Sequence, residues 1–238
     1  MGNLAVLETK KLMRKPSIYL GVILASLFSC AIAYVAFLNP ESFGKRNVYA
    51  FFADIAQYVL IVFAAKSLGD EFQFKTSAIL FTNRYSRMEI LFSKIVSLLG
   101  LGLLMGLVSG MIGVIFLGVM GELTALHAVL ELTGVIGRYL VYTFCVGSFV
   151  LLWTVLSSHT IASLFSAIGF FFLLPAVIGM AVSKFSGLVR AVEYIPFYSA
   201  SNVIHQPAWN QAEVTGLILS GMIFAALAVY FLNRKDLT

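Results

Sequence analysis

Apolar stretches of membrane-spanning length alternate with short polar segments along the whole chain. An α-helix rises about 1.5 Å per residue, so about 20 apolar residues cross the roughly 30 Å hydrocarbon core of a bilayer. The predicted spans cover residues 18–38, 48–68, 90–117, 137–156, 161–182 and 214–232. This pattern predicts an all-α membrane protein whose six transmembrane helices form a single domain over residues 17–238.

The start of the chain predicts a separate helix. Residues 1–16 combine apolar positions, among them Leu4, Leu7 and Leu12, with four basic residues, and they end at Pro16. Apolar side chains of such a helix enter the membrane interface, while Lys and Arg meet anionic lipid headgroups. We therefore predict an amphipathic interfacial helix on the cytoplasmic leaflet.

Three longer segments connect the predicted spans. Residues 69–89 form the sizeable cytoplasmic loop, and residues 118–136 and 183–213 form outer loops. The last of these is unusually long and contains Pro196 and Trp209 among several aromatic residues. Such a composition suits a re-entrant or interfacial element, because aromatic side chains favour the membrane–water interface.

Composition agrees with a membrane protein and excludes a soluble enzyme. Hydrophobic residues make up 60% of the chain and charged residues 11%, whereas soluble domains contain about 25% charged residues. The net charge is +5, which in a membrane protein reflects basic cytoplasmic loops rather than nucleic-acid binding. Lys and Arg divide eleven against five between the two sides, so both termini are predicted to be cytoplasmic. The sequence lacks an Asn-x-Ser/Thr sequon, which favours a bacterial cytoplasmic membrane.

Sequence motifs for nucleotide binding or hydrolysis are missing. The chain has no Gly-x-x-x-x-Gly-Lys-Ser/Thr, His-Glu-x-x-His, Cys-x-x-Cys or Gly-x-Ser-x-Gly pattern. His127, His159 and His205 lie near span ends or in loops, where interfacial histidines are commoner than metal ligands. We therefore expect neither a catalytic residue nor a metal or cofactor site in this chain.

One acidic residue lies well inside a predicted span. An aspartate costs about 2.5–3.5 kcal/mol at the centre of a membrane helix, so Asp54 should face protein or water. Gln57 and Tyr58 follow at i+3 and i+4, which puts the three side chains on one face of the second span. They line a substrate path, or they form a hydrogen-bond cluster between helices, or Asp54 is simply wetted at the outer interface. Lys66 lies about 18 Å away along the helix, too far to pair with Asp54.

Glycines recur at four-residue spacing in the third span. Gly102, Gly106 and Gly110 therefore share one helix face. Small residues in this pattern let another helix backbone approach closely. We predict a helix-packing face, within the chain or at a subunit interface.

The cytoplasmic loop is the most distinctive segment. Glu71 and Lys75 form an i,i+4 pair, and Phe72 adds an apolar position on the same stretch. Ser86 and Glu89 form a capping-box pattern that predicts the start of the third span. The loop is either a basic connector or a short helix that docks into a groove of a partner protein.

The loop resembles that of permease subunits of type-2 ATP-binding cassette exporters, in particular small bacterial ones for peptide-antibiotic export or immunity. The matching positions are Glu71, Thr76, Ile79, Leu80, Ser86, Arg87 and Lys94. The sequence departs from the family at Tyr85, where proline is common, and at Lys75, where glycine usually precedes the threonine. The amphipathic start, six spans and long outer segment before the last span extend the resemblance over nearly the whole chain.

This resemblance implies a short cytoplasmic coupling helix that sits on a separate P-loop ATPase, which binds the ATP and Mg. The ATPase-coupling residues it implies are Glu71, Lys75, Thr76, Arg84, Arg87 and Lys94. Two permease copies, identical or sister chains, then export an amphipathic peptide or lipid-like substrate, or confer immunity to it. The alternatives are an ion-coupled secondary transporter that uses Asp54 and a scaffold that transports nothing.

Overall fold

A computed structural model describes residues 2–74, 86–121, 124–184, 192, 194–206 and 210–235, and the regular structure in these residues is helical. The helices are α1 (Gly2–Met13), α2 (Pro16–Leu38), α3 (Lys45–Gln73), α4 (Arg87–Val119), α5 (Ala125–Ser157), α6 (Thr160–Lys184), α7 (Pro196–His205) and α8 (Gln211–Arg234). Residues Gly169–Leu173 form a π-helical turn inside α6.

Six of the described helices, α2 to α6 and α8, are long and apolar enough to cross a membrane. The predicted all-α architecture with six spans is therefore confirmed. α3 and α5 are the most buried spans, whereas α2, α6 and α8 turn most of their residues outward. The bundle thus has a central pair of helices, α3 and α5, against which the other spans pack.

Two predicted loops are shorter than expected because helices extend into them. The prediction of an outer loop over residues 118–136 was wrong for residues 125–136, which are the first turns of α5. Thr124 starts this helix, because its side chain accepts a hydrogen bond from the backbone N–H of His127. On the other side, α3 continues to Gln73, so residues 69–73 of the predicted cytoplasmic loop are helical. The predicted coupling helix belongs to the cytoplasmic loop over residues 69–89, of which residues 75–85 lie outside the described residues.

The long outer segment contains a helix of its own. Pro196 occupies the first turn of α7, where its missing N–H is not needed. Ala200, Val203 and Ile204 are buried against the bundle. α7 contacts α3, α5, α6 and α8, so this short helix is part of the packed core.

Helix α1 covers most of the predicted N-terminal helix and packs along α4. Leu4 and Leu12 are buried, while Val6 and Leu7 are 67% and 60% exposed. The helix therefore has one apolar face against the protein and a second one open. Its placement at a lipid interface stays a prediction.

The predicted glycine face is confirmed as a packing surface within the chain. Gly102 lies against Thr143, Gly106 against Ile136 and Tyr139, and Gly110 against Leu132, all on α5. A Cβ atom built on Gly106 would lie 2.9 Å from the Cα of Ile136, closer than side chains tolerate. The absence of a side chain at this position is what allows the backbones of α4 and α5 to meet.

Candidate functional site

A buried lysine joins three helices at the end of the bundle where the chain begins. Lys94 of α4 is 1% exposed. Its Nζ atom lies 2.5 Å from Glu71 Oε1 of α3 and 2.6 Å from Glu8 Oε2 of α1. Lys11 of α1 is a further partner of Glu71, at 3.4 Å. Because a buried charge is tolerated only when it is paired and hydrogen-bonded, the ion pairs explain how Lys94 sits inside the protein.

The positions of these residues follow from the ends of their helices. Glu71 lies in the last turn of α3, and Lys94 lies two turns into α4. Residues 74–86 connect these two helices in the sequence. The ion pair thus ties together the two helix ends from which the connection extends.

Helix α1 uses charges of both signs to hold this end of the bundle. Glu8 binds Lys94, Lys11 approaches Glu71, and Lys15 lies 3.7 Å from Asp70 of α3. Two of the four basic residues predicted to face anionic lipid therefore have acidic partners within the chain. The other two, Lys10 and Arg14, are exposed.

Helix α4 begins with the predicted capping box. The Ser86 hydroxyl accepts a hydrogen bond from the Glu89 N–H at 3.2 Å, and the Glu89 carboxylate accepts one from the Ser86 N–H at 2.9 Å. Arg87 follows, and its Nη1 donates to the carbonyl oxygens of Leu232, Asn233 and Lys235 at 2.6, 3.2 and 3.0 Å. Arg87 therefore caps the carboxyl end of α8 within the chain.

The structure brings some of the predicted coupling residues together and separates others. Glu71 and Lys94 are in direct contact, whereas Arg87 has its described contacts on α8. Lys75, Thr76 and Arg84 lie outside the described residues. Sequence reasoning missed Glu8, although an acid between the apolar positions of an amphipathic helix is the signal that marks it.

A second polar site lies on α3, closer to the other end of the bundle. His205 Nε2 of α7 is 2.9 Å from Asp54 Oδ1, and His205 Nδ1 is 2.5 Å from the Ser201 carbonyl oxygen. A carbonyl oxygen only accepts, so Nδ1 donates to it, and Nε2 is left facing the Asp54 carboxylate. The pairing connects residues that are 151 positions apart in the chain. The Asp54 side chain is 57% exposed, so this site is open.

The predicted polar face of the second span divides in two. Gln57 is buried, whereas Asp54 and Tyr58 lie on the open side of α3. The Tyr58 ring stacks on Phe172 of the π-helical turn, with ring centroids 4.4 Å apart. Asp54, Tyr58 and Phe172 thus line one surface where α3, α6 and α7 meet; we call it the α3 face.

The family of the chain follows from a comparison with protein-family models. The model of the ABC-2 family transporter proteins matches residues 4–176. The chain belongs to this ABC-2 family. The match extends from α1 into α6, so it includes Asp54, Tyr58 and the three residues Glu8, Glu71 and Lys94, which we call the Lys94 cluster. A comparison with curated proteins gave no match.

Membership of the ABC-2 family fixes the general role of the protein. An ABC-2 permease is a multi-pass membrane component of an ABC transporter. Such a permease has no ATPase domain of its own, and it works with an ATP-binding subunit. The predicted type-2 permease family is therefore confirmed.

Proposed function

We propose that this ABC-2 permease exports an amphipathic peptide or lipid-like substrate across a bacterial cytoplasmic membrane, as one of two permease copies on a cytoplasmic ATPase that binds ATP and Mg. The observation that supports this most is the buried Glu8–Lys94–Glu71 cluster at the two helix ends that flank residues 75–85. In this proposal Lys75, Thr76 and Arg84 contact the ATPase.

The cluster makes the flanking helix ends suitable for transmitting force. Removing one partner of a buried ion pair costs about 3–5 kcal/mol, so the ends of α3 and α4 resist separation. Movement imposed on residues 75–85 is therefore passed to both spans together. Glu8 extends the same connection to α1.

The distribution of charge supports the proposed orientation. The side that contains both termini and the Lys94 cluster has eleven Lys and Arg residues against five on the other side. The positive-inside rule therefore supports a cytoplasmic position for this end, on the side of the proposed ATPase. The open apolar face of α1, with Lys10 and Arg14 exposed beside it, fits the surface of an anionic leaflet.

The α3 face is the proposed substrate path. Asp54 and Tyr58 are accessible there beside the aromatic ring of Phe172, so the surface offers both apolar contact and a polar anchor. Such a mixture suits an amphipathic substrate. A second permease copy facing this surface would enclose the path between the two chains.

A second candidate function is ion-coupled transport, which the Asp54–His205 pair favours. The pair brings a carboxylate and an imidazole, two groups able to carry a proton, into contact at an accessible position. A carrier of this kind would need no ATPase. It would lose its ion coupling on Asp54→Asn.

A pull-down distinguishes the two candidates. The chain is solubilised gently from its native membrane, once as wild type, once as Lys75→Glu/Arg84→Glu, and once as Arg46→Glu. Arg46 is an exposed basic residue on the opposite end of the bundle, so it is the matched control. We expect a P-loop ATPase to co-purify with wild type and Arg46→Glu and to be lost from the double variant.

Two results would contradict the proposed function. One is equal recovery of the ATPase with the double variant, which would remove residues 75–85 from the interface. The other is the absence of an ATPase from wild type together with transport by the purified chain in liposomes under a proton gradient. That second result would establish the ion-coupled carrier.

A further inference from the structure

The residue after α8 caps the end of another span. Lys235 Nζ donates hydrogen bonds to the carbonyl oxygen of Val155 and to the hydroxyl of Ser158. Both acceptors lie at the carboxyl end of α5, where the last carbonyls have no partner within the helix and a positive charge is favourable. Lys235 therefore joins the ends of α5 and α8.

The same ammonium group also reaches α3. Lys235 Nζ lies 5.0 Å from the centroid of the Phe72 ring, within the range of a cation–π contact. Burial lowers the pKa of Lys235, because desolvation disfavours its charged form. The ammonium thus lies partly buried at this end of the bundle, beside the last turn of α3.

Arg87 forms a second set of contacts with the residues at the end of α8. It is the first residue of α4, and it binds three carbonyls of residues 232–235. The C-terminal clamp, defined here as Arg87 with residues 232–235, therefore contacts the end of α3 through Phe72 and includes the start of α4. These are the two helix ends that flank residues 75–85.

The two helices held by Lys235 pack closely on each other. Gly221 of α8 lies against Phe144 and Cys145 of α5, so near that a Cβ atom would clash with the Phe144 ring. Protein interiors are close-packed and transmit displacements between contacting helices. A shift at the clamp therefore moves α5 and α8 together.

We propose that Lys235 is a positioning residue that couples the helix ends flanking residues 75–85 to the spans α5 and α8. This inference rests on the proposed function, because it needs an ATPase that moves those helix ends. It adds a second connection, separate from the Lys94 cluster, which acts on α1, α3 and α4. A residue that only caps helices would affect stability and leave the response to ATP unchanged.

The test uses the complete complex of permease and ATPase in nanodiscs. Spin labels are placed at Leu156 near the end of α5 and at Tyr19 near the start of α2, both exposed, after the native cysteines are replaced. The distance between the labels is measured with and without MgATP and vanadate. The variants compared are Lys235→Met, which removes the charge, Lys235→Arg, which keeps it, and Arg234→Met.

Arg234→Met is the matched control, because Arg234 is an exposed neighbour whose guanidinium lies over the Tyr230 ring. We expect the ATP-dependent distance change in wild type, Lys235→Arg and Arg234→Met, and its loss in Lys235→Met with the ATPase still bound. A full distance change in Lys235→Met would overturn the proposal.

A second variant keeps the test decisive if Lys235→Met folds poorly. Ser158→Gly removes the hydroxyl acceptor, and glycine suits the left-handed backbone there, where φ is 59°. It should reduce the ATP-dependent change while the melting temperature stays near that of wild type; an undiminished change contradicts the inference. Absence of an ATPase from wild type would instead refute the proposed function.

Discussion

Replacing Lys94 by methionine tests how much the Lys94 cluster contributes to the free energy of unfolding. The substitution keeps an unbranched side chain of similar length and removes the ammonium group that binds Glu8 and Glu71. Lys94 is 1% exposed, and the Glu71 side chain is 9% exposed, so the remaining carboxylate cannot simply be solvated. Lys11 lies 3.4 Å from Glu71 and compensates in part.

The expected loss follows from the burial of the pair. Breaking a buried ion pair costs about 3–5 kcal/mol, and the partial compensation by Lys11 places Lys94→Met near 3 kcal/mol. Removing both charges in Lys94→Met/Glu71→Met should cost clearly less than the sum of the two single substitutions, because the double variant no longer buries the Glu71 carboxylate without its lysine partner. Lys10→Met, at an exposed position of α1, should stay within about 0.5 kcal/mol of wild type.

The assay is equilibrium unfolding of the purified chain in mixed micelles, followed by circular dichroism as the fraction of denaturing detergent increases. The four variants form a double-mutant cycle with one surface control. A Lys94→Met protein as stable as wild type would refute the view that the cluster holds α1, α3 and α4 together. Strict additivity of the two single substitutions would show that Lys94 and Glu71 are not coupled.

Three further outcomes are expected. Gly106→Ala should destabilise the chain by about 1–3 kcal/mol in the same unfolding assay, because its Cβ meets the α5 backbone, whereas Gly179→Ala has open space around it and should be neutral or slightly stabilising. Asp54→Asn should weaken the contact with His205, so that cysteines introduced on α7 are labelled faster, while equal labelling would show that the pair does not hold α7. In the double variant Asp54→Asn/His205→Gln, the labelling rate on α7 should be no higher than in the faster of the two single variants. Labelling increases that add fully would contradict a shared contact.

The spans could be predicted because they depend on local composition. A window of about 20 apolar residues is enough to identify a membrane helix, whatever it packs against. The glycine face of α4 and the capping box at Ser86 were also readable, since each follows from spacing within one helix. The helix ends were harder to predict from the sequence. Residues 125–136 lack a strong signal that would exclude them from a helix, and α5 includes them.

Which charged residues pair with each other could not be predicted from the sequence in the same way. Lys94 and Glu8 are 86 positions apart, and Asp54 and His205 are 151 apart. No periodic pattern connects such residues, because their contact depends on how the whole bundle packs. The resemblance to a family selected Glu71 and Lys94, yet only the structure shows that they bind each other.

The π-helical turn in α6 has a consequence for how this span tolerates insertions and deletions. A π turn accommodates one more residue than an α-helical turn, and the helix on either side keeps its own phase. Deleting one residue within Gly169–Leu173 would regularise α6 and still leave its two halves on their present faces. The deletion would change the packing of three consecutive rings, Phe170, Phe171 and Phe172. The first two pack on Phe149 and the third on Tyr58. Length variation at this turn is therefore a route by which the aromatic lining of the bundle can be altered without redesigning the span.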